Sequence, residues 1–365
     1  NDTLRMILCQ PIPAGTYTIG SPTSNFPSIA ALSSILNCGG VSGPVTFLFD
    51  GPSNLITEQL ALGSIPGTST TNTITFDGQG DTIRTAGSAG SAQVIVLNGS
   101  KHIRLRNMYV DASLANVGIQ LLDVENIRIV NNTVAVSLAA TSTATGGIVA
   151  SGSLTSTTTA TTATDVVVDS NLVIGGYYTI RFNGAAGAPV SNIRITNNRV
   201  MDSHVYAIYT IQAHDVLIEN NEIARPSRTD ITTFYGIYNS TGARGVRVSK
   251  NRIHTTHGPN PSSTSYAAYG IYYTGAAGDS IAPNLVSNNL LYNFNSLTGS
   301  IYGIYVTGGA HVYVLHNTTV FDNDSSTSGL VYANYFLGTG TDHRFQNNIT
   351  YVSRAGSGTK YCLYI

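Results

Sequence analysis

A six-residue phrase returns along most of the chain and limits the folds available to it. Apolar and polar residues alternate in it, and eight of its nine copies end in asparagine, the first ending in Met108. The copies are 103–108, 127–132, 166–171, 193–198, 216–221, 246–251, 284–289, 312–317 and 343–348. Alternation at period two is typical of a strand with one buried face. Recurrence at intervals of 23 to 39 residues indicates stacked repeats, so we predict an all-β parallel β-helix with one copy per coil.

The closing asparagine recurs once per coil and predicts a ladder at a corner of the coil. Asparagine tolerates the left-handed backbone of a tight turn, and its amide can bond the same amide one coil above. The predicted ladder consists of Asn132, Asn171, Asn198, Asn221, Asn251, Asn289, Asn317 and Asn348. These roles are structural, and we assign the ladder no further function.

A second phrase, Tyr-x-Ile-Tyr in its clearest copies, falls between the asparagine corners and predicts another strand of each coil. If the central isoleucine points inward, period two turns the first tyrosine inward and the second outward. The predicted inward set is Tyr206, Tyr235, Tyr269 and Tyr302. The outward set, which supplies the candidate binding residues, is Tyr209, Tyr238, Tyr272 and Tyr305, with Arg181 below it and Tyr364 above.

An outward row of phenols has two interpretations. It is either a stack of rings that stabilises itself or a binding platform for sugar rings or a neighbouring subunit, since exposed aromatic patches mark contact sites.

The N-terminal region predicts a helix over residues 28–37, with Ser28 as its N-cap. The apolar residues at helical spacing are Ile29, Leu32, Ile35 and Leu36. Such a helix would cover the exposed end of the first coil. We therefore divide the chain into an N-terminal segment with a capping helix, 1–40, and the β-helix, 41–365.

At its other end the sequence stops in mid-coil without a recognisable C-terminal cap. Two explanations stay open. Either a longer protein continues past Ile365, or the open edge docks onto a partner, for example residues 1–13 of the next copy in an end-to-end assembly.

Composition excludes several classes of function. Charged residues make up 10% of the chain, and 18 Lys and Arg nearly balance 19 Asp and Glu, so there is no basic footprint for nucleic acid. No apolar run reaches the roughly 18 residues that a membrane span requires. No Cys or His spacing predicts a metal site, and nothing predicts a cofactor. The three cysteines leave two alternatives: a Cys9–Cys38 disulfide of a secreted protein with Cys362 left over, or three unpaired thiols.

The densest charge cluster contains Arg194, Glu219 and Arg247, which are the candidate catalytic residues of a polysaccharide site. Next to it, Arg199, Glu222 and Arg252 follow the asparagine in three consecutive coils. An alternating stack of surface ion pairs is the simpler explanation of both sets. The pairs Asp202 with His204 and His214 with Asp215 are further acid–base candidates, but no third group orients either of them in the sequence.

From about Gly15 to its end the chain resembles the pectin-lyase-like superfamily of right-handed parallel β-helices. The resemblance rests on the cap followed by a coil and on the repeated Ile-x-Ile-x-Asn-Asn phrase. In particular, it is similar to repeat-rich secreted and cell-surface proteins of bacteria. The superfamily contains lyases, hydrolases, epimerases, adhesins and structural fibres, so the resemblance implies the fold and leaves the function open.

Three hypotheses follow. The first is an extracellular structural or adhesive protein (a surface stalk, adhesin or fibre subunit) whose tyrosine-rich face contacts a surface glycan or further copies of itself. The second is a polysaccharide-active lyase or hydrolase, and the third is a glycan-binding module.

Overall fold

A computed structural model describes residues 9–85, 92–259, 265–338 and 340–365. In these ranges the chain winds into a coil whose strands form three sheets of 13, 11 and 11 strands, with every pairing inside the sheets parallel. Each coil runs from sheet 1 through the asparagine corner into sheet 2, and then into sheet 3. The parallel β-helix predicted from the repeats is confirmed. Residues 1–8 of the predicted docking segment 1–13 lie outside the described residues.

The strands of sheet 1 are Gly15–Ile19, Val45–Phe49, Ile74–Asp77, Ile103–Arg106, Val124–Val130, Ala163–Asp169, Val190–Thr196, Ala213–His214, Leu217–Glu219, Arg247–Ser249, Asn284–Ser287, Val312–Leu315 and Arg344–Gln346. Those of sheet 2 are Leu55–Thr57, Thr82–Arg84, Tyr109–Ala112, Thr133–Val136, Leu172–Ile174, Arg199–Met201, Glu222–Ala224, Arg252–His254, Leu290–Tyr292, Thr318–Phe321 and Ile349–Val352. Those of sheet 3 are Leu60–Leu62, Gln93–Asn98, Val117–Leu122, Gly146–Ala150, Tyr178–Asn183, Tyr206–Ile211, Phe234–Asn239, Ala268–Ala277, Ile301–Ala310, Val331–Leu337 and Lys360–Tyr361.

The N-terminal helix spans Ile29–Gly39, and the Ser28 side chain accepts a hydrogen bond from the Ala31 N–H at 3.1 Å, as an N-cap does. Its buried residues are Ile29, Leu32 and Leu36, whereas Ile35, which the sequence placed on the same apolar face, is 39% exposed. The strand Gly15–Ile19 precedes the helix and pairs with Val45–Phe49, so sheet 1 includes residues on both sides of the predicted division at residue 40.

A disulfide joins Cys9 to Cys38 near the end of this helix. Of the two alternatives left open by the sequence, the paired one is therefore present, and Cys362 is an exposed free thiol. A short 3₁₀ helix, Pro52–Asn54, lies between the first strands of sheets 1 and 2. In the part of the chain that is described, no helix is long and apolar enough to cross a membrane.

The asparagine ladder is present, but its backbone differs from the prediction. The left-handed residue at each corner is the one before the ladder asparagine, for example Asn131 (φ 55°) and Asn220 (φ 55°), and no ladder residue has a positive φ. The prediction that the ladder residue itself takes up the left-handed turn is therefore wrong. The ladder asparagines are extended instead, which turns their amides into the coil, where Asn198 and Asn221 are each 1% exposed.

The amide-to-amide bonding predicted for the ladder is confirmed. In each step the side-chain oxygen of one asparagine accepts hydrogen bonds from both the backbone N–H and the side-chain amide of its counterpart one coil earlier. Between Asn198 and Asn221 both distances are 3.0 Å. Buried amides that are satisfied in this way fix the corner and keep the coils in register.

Candidate functional site

The tyrosines of the second phrase lie in sheet 3, and both of them are on its outer face. Tyr206 and Tyr209 are partly exposed, and their ring centroids lie 5.2 Å apart, while Ala207 and Ile208 between them are fully buried. Tyr235, Tyr269 and Tyr302 repeat this arrangement. The prediction that Tyr206, Tyr235, Tyr269 and Tyr302 point inward is therefore wrong, whereas Tyr209, Tyr238, Tyr272 and Tyr305 do face outward as predicted.

The second residue of the phrase explains this departure from strict alternation. It is Ala207, Gly236, Gly270, Gly303 or Ala333 in successive coils. A Cβ added to Gly270 would approach the Leu291 Cδ2 atom to 2.4 Å, so this position faces the core and has very little room. The second and third residues of the phrase therefore both point inward. The tyrosines before and after them, three residues apart, consequently lie on the outer face of the sheet. Because every coil departs from alternation at the same place, the parallel register is kept.

The result is a double column of phenol rings, which we call the Tyr face. Its first column is Tyr178, Tyr206, Tyr235, Tyr269, Tyr302, Tyr332 and Tyr361. Its second column is Tyr209, Tyr238, Tyr272, Tyr305, Tyr335 and Tyr364. Thirteen of the 21 tyrosines therefore share one surface, which extends over about 29 Å if adjacent strands lie about 4.8 Å apart.

The rings of the Tyr face contact one another in both directions. Along the first column, centroids are 4.5–5.3 Å apart and the rings are nearly parallel. Along the second column they are 4.5–4.9 Å apart, in a mixture of stacked and edge-to-face pairs. Such pairs contribute about 0.5–1.5 kcal/mol each beyond the burial of their area. The self-stabilising stack considered for the sequence is thus part of the structure. The second interpretation, a binding platform, concerns the solvent-exposed side of the same rings.

Burial keeps these phenols in their neutral form. Burial and, to a smaller extent, the neighbouring tyrosines raise the pKa of Tyr235 to about 12. The same causes raise the pKa of Tyr206 and Tyr269. The Tyr face is consequently an uncharged aromatic surface with hydroxyl groups at neutral pH.

Arg181 marks one end of the Tyr face. It lies below Tyr209 in the second column, as predicted, and its guanidinium carbon is 4.0 Å from the Tyr178 ring centroid and 4.2 Å from that of Tyr209. Its Nε donates to the Asn183 Oδ1 at 2.6 Å. Arg181 is only 6% exposed, so its guanidinium is a buried cation that stacks against the first rings of both aromatic columns.

An inserted loop, residues 151–162, covers sheet 3 below Arg181. The Gln120 side chain, which occupies the second column two coils earlier, donates to the Ser151 carbonyl at 3.1 Å, and Asn183 donates to the Thr157 carbonyl at 2.7 Å. Gln120 is 1% exposed as a result. The Ser- and Thr-rich insertion of the sequence therefore ends the accessible face at Arg181.

Buried arginines, which the sequence did not reveal, brace the loops between sheets 2 and 3 beside the Tyr face. Arg225 is fully buried and donates to the carbonyls of His204, Thr232 and Thr256. Arg228 donates from Nη2 to the Ala140 carbonyl at 3.0 Å, across 88 residues of sequence. These contacts depend on loop lengths, which vary irregularly from coil to coil, so no local sequence pattern predicts them.

The catalytic candidates of the sequence lie on the outer face of sheet 1, and only two of the three share a column. Arg194 and Arg247 are two coils apart in the same column, with Leu217 between them. Glu219 belongs to the next column, where its carboxylate accepts from the Lys250 Nζ and from the Ser249 hydroxyl, each at 3.0 Å. The hydrogen bond from Lys250 is the main reason why the pKa of Glu219 is lowered. Glu219 is therefore held as a carboxylate.

The neighbouring charge stack has the predicted register, with Arg199, Glu222 and Arg252 in successive coils of sheet 2. The Arg199 Nε lies 3.1 Å from the Glu222 carboxylate. His254 also approaches Glu222, at 3.4 Å. Glu222 is thus paired with Arg199 and His254, whereas the Arg252 side chain makes no ion pair with another described residue.

The predicted acid–base pair of Asp202 with His204 is not joined by a hydrogen bond in the structure. Asp202 accepts from the backbone N–H groups of Ser227 and Arg228, at 2.8 and 3.0 Å, and makes no hydrogen bond to His204. The His204 Nδ1 instead lies 3.0 Å from the Arg228 Nη2. Burial is the main reason why the pKa of His204 is lowered. Within the described ranges, no three side chains of His, Cys, Asp or Glu converge as a metal site would require.

Comparison with known proteins agrees with this architecture. The family model described as "Right handed beta helix region" matches residues 117–323 and, in an overlapping alignment, 180–360. The chain resembles the surface adhesin PfbA of Streptococcus pneumoniae at 12% identity, over 88% of this chain and 87% of that one, with a TM-score of 0.52. It resembles an alginate lyase from Paenibacillus sp. at 11% identity, over 91% and 99%, with a TM-score of 0.53.

The Dettilon tailspike protein is similar at 14% identity with a TM-score of 0.50, over 90% of this chain. The chain spans 64% of the length of that tailspike. Comparison with curated protein sequences gives no match. At these identities the likenesses establish the fold alone.

Proposed function

The chain belongs to the right-handed β-helix family, and from this premise we propose that it is an extracellular adhesive protein that binds carbohydrate through its Tyr face. The fold does not decide between roles, because the same coil is found in a surface adhesin and in an alginate lyase. The choice rests on the surface that this chain displays. The disulfide between Cys9 and Cys38 supports an oxidising, extracellular location.

The Tyr face is the observation that carries the proposal. Rings that only stabilised the coil would need no access to solvent, yet most tyrosines of both columns are partly exposed, and Tyr364 is 37% exposed. Aromatic rings with hydroxyl groups offer apolar faces for stacking and polar edges for hydrogen bonds, which suits the apolar faces and hydroxyl rims of sugars. Single exposed aromatic residues are common on protein surfaces, but a continuous aromatic patch is typical of a contact site.

Retention on an array of immobilised glycans tests this proposal. We expect the wild-type protein to be retained on at least one neutral glycan, and the double variant Tyr238→Ala/Tyr272→Ala to lose retention at least about tenfold, as aromatic anchors of interfaces do. The matched control is Tyr109→Ala/Tyr351→Ala, which removes two exposed tyrosines of sheet 2. Far-UV circular dichroism verifies that each variant is folded. Retention that survives in the Tyr238/Tyr272 variant would contradict the proposal.

The alternative, a polysaccharide-active enzyme, stays a prediction for Arg194, Glu219 and Arg247. The pKa of Glu219 is lowered, so its carboxylate suits a general base or an electrostatic role better than proton donation. Incubation with a polysaccharide panel, followed by assays for new reducing ends and unsaturated products, tests this function. Activity that disappears in Glu219→Gln would favour the enzyme over the adhesive protein.

Association of copies end to end is a further prediction from the sequence. Analytical ultracentrifugation over a hundredfold range of concentration measures it. A mass that stays that of one chain, 38.4 kDa, at every concentration would contradict such assembly without affecting the proposal for the Tyr face.

A further inference from the structure

A groove of 440 Å³ crosses the outer face of sheet 1, on a different sheet from the Tyr face. Its floor is a single column of residues from successive coils: Arg194, Leu217, Arg247, Leu285 and Tyr313. One wall is the segment 281–283, in which the Ile281 side chain is 89% exposed. Charged and apolar side chains thus alternate along the axis of the coil.

The two arginines in the groove lack the partners that most other arginines of this protein have. The side chains of Arg194 and Arg247 make no hydrogen bond and no ion pair to another described residue, and both residues are exposed. On the same sheet, Arg106 and Arg128 pair with carboxylates at 2.8 and 2.9 Å, and Arg244, shortly before the strand Arg247–Ser249, pairs with Asp279 at 2.9 Å. Two guanidinium groups without a side-chain partner therefore line the groove.

We propose that this groove binds an anionic polysaccharide, a polymer with carboxylate or sulfate groups at intervals along its length. The backbones of Arg194 and Arg247 are two strand spacings apart, about 9.6 Å, so successive anionic groups of one polymer match them better than a single small anion does. Guanidinium groups bind carboxylate and sulfate through charge-assisted hydrogen bonds. Leu217, between the two arginines, provides an apolar surface for the sugar ring that joins the charged groups.

Two groups at the edges of the groove refine the proposal. Tyr313 continues the column, and its hydroxyl donates to the Asp342 carboxylate at 2.9 Å, which fixes the ring at the end of the floor. Asp215 lies at the rim, is exposed, and is the acidic residue that lines the groove. Its negative charge opposes an anionic ligand, so its removal should tighten binding.

Binding of soluble protein to immobilised hyaluronan, dextran sulfate and uncharged dextran tests the proposal. Hyaluronan carries carboxylates only and dextran sulfate carries sulfates only, so the two arms distinguish the anionic group that is preferred. We expect binding to at least one of them that exceeds any binding to dextran, and a loss of about tenfold or more in Arg194→Ala/Arg247→Ala, since each lost charged hydrogen bond costs a measurable factor. Asp215→Asn, which tolerates the left-handed backbone at this position (φ 53°), should bind more tightly.

Matched controls separate this groove from charge in general and from the Tyr face. Arg252→Ala removes an exposed arginine of sheet 2 and should leave binding unchanged. Tyr238→Ala/Tyr272→Ala should also bind the charged polymers normally, so failure of the Tyr-face proposal would not affect this result. Binding to neither charged polymer, equal binding to dextran, retained binding by the double arginine variant, or weaker binding by Asp215→Asn would overturn the inference.

Discussion

Replacing Asn221 with alanine should destabilise the coil more than any exposed substitution, because its side chain serves three coils. Its Nδ2 donates to the Ile195 carbonyl at 2.8 Å and to the Asn251 Oδ1 at 2.9 Å. Its Oδ1 accepts from both the backbone N–H and the Nδ2 of Asn198. Alanine would leave the Asn198 N–H buried without its side-chain partner, and it would remove one hydrogen bond each from the Ile195 carbonyl, the Asn251 Oδ1 and the Asn198 amide.

A buried N–H left without a partner costs about 1–3 kcal/mol and each further hydrogen bond lost costs about 0.5–1.5 kcal/mol, so we expect a loss of about 3–5 kcal/mol in the free energy of unfolding. The matched control is Asn220→Gly, one residue earlier. Asn220 is exposed and donates a single side-chain bond to the Asn197 Oδ1 at 2.7 Å, and glycine tolerates its φ of 55°. We expect this control to cost less than about 1 kcal/mol.

Urea unfolding followed by circular dichroism measures both variants. Hydrogen exchange at the Asn198 N–H adds a local readout, because coils of a repeat protein need not unfold together. The reasoning would be refuted if Asn221→Ala shifted the urea midpoint no further than Asn220→Gly, or if the Asn198 N–H kept its protection.

Three further predictions concern pH and the disulfide. The pKa of a tyrosine is about 10 in the unfolded chain, whereas that of Tyr235 in the folded protein is about 12. Above pH 10 the native state therefore binds more protons than the unfolded state, and the urea midpoint should fall as the pH rises from 9 to 12. A constant midpoint would contradict this. Burial lowers the pKa of His257 from 6.5 to about 4, so stability should fall as pH drops through that interval, and His257→Gln should flatten the dependence. Reducing the Cys9–Cys38 bond, which closes a loop of 29 residues, should cost about 3 kcal/mol, whereas Cys362→Ser should leave the midpoint unchanged.

Most of the coil could be predicted from the sequence because its repeats are local and periodic. Alternation in copies such as 127–132 and 193–198 requires one buried face, and their recurrence requires that the coils stack. Ile127 and Ile193 are fully buried, which confirms the buried face. The bonding of the asparagine ladder followed from the same recurrence. Its backbone did not, since either residue of an Asn-Asn pair can adopt the left-handed turn and only packing selects the first.

Only one of the two columns of the Tyr face was predicted, because the prediction assumed that residues alternate inward and outward through the whole strand. This alternation fails at the second residue of the phrase. The signal was present in the sequence: the residue after the first tyrosine is Ala207, Gly236, Gly270 or Gly303, and a small residue in every coil indicates a crowded inward position. For the groove on sheet 1, the sequence singled out Arg194 and Arg247 but gave no signal for the groove itself. Its floor depends on which residues of different coils share a column, and its wall at 281–283 depends on the length of an insertion.

Nitration of tyrosine in the presence and absence of bound glycan tests the central claim most directly. The chain has no tryptophan, and peptide mass spectrometry measures the modification of each tyrosine separately. With the neutral glycan that the array retains most strongly, we expect protection of Tyr238, Tyr272 and Tyr305, and unchanged reactivity of Tyr109 and Tyr351, which are 39% and 56% exposed on another sheet. Protection of Tyr109 and Tyr351 instead, or a bound glycan that leaves the Tyr face fully reactive, would contradict the account.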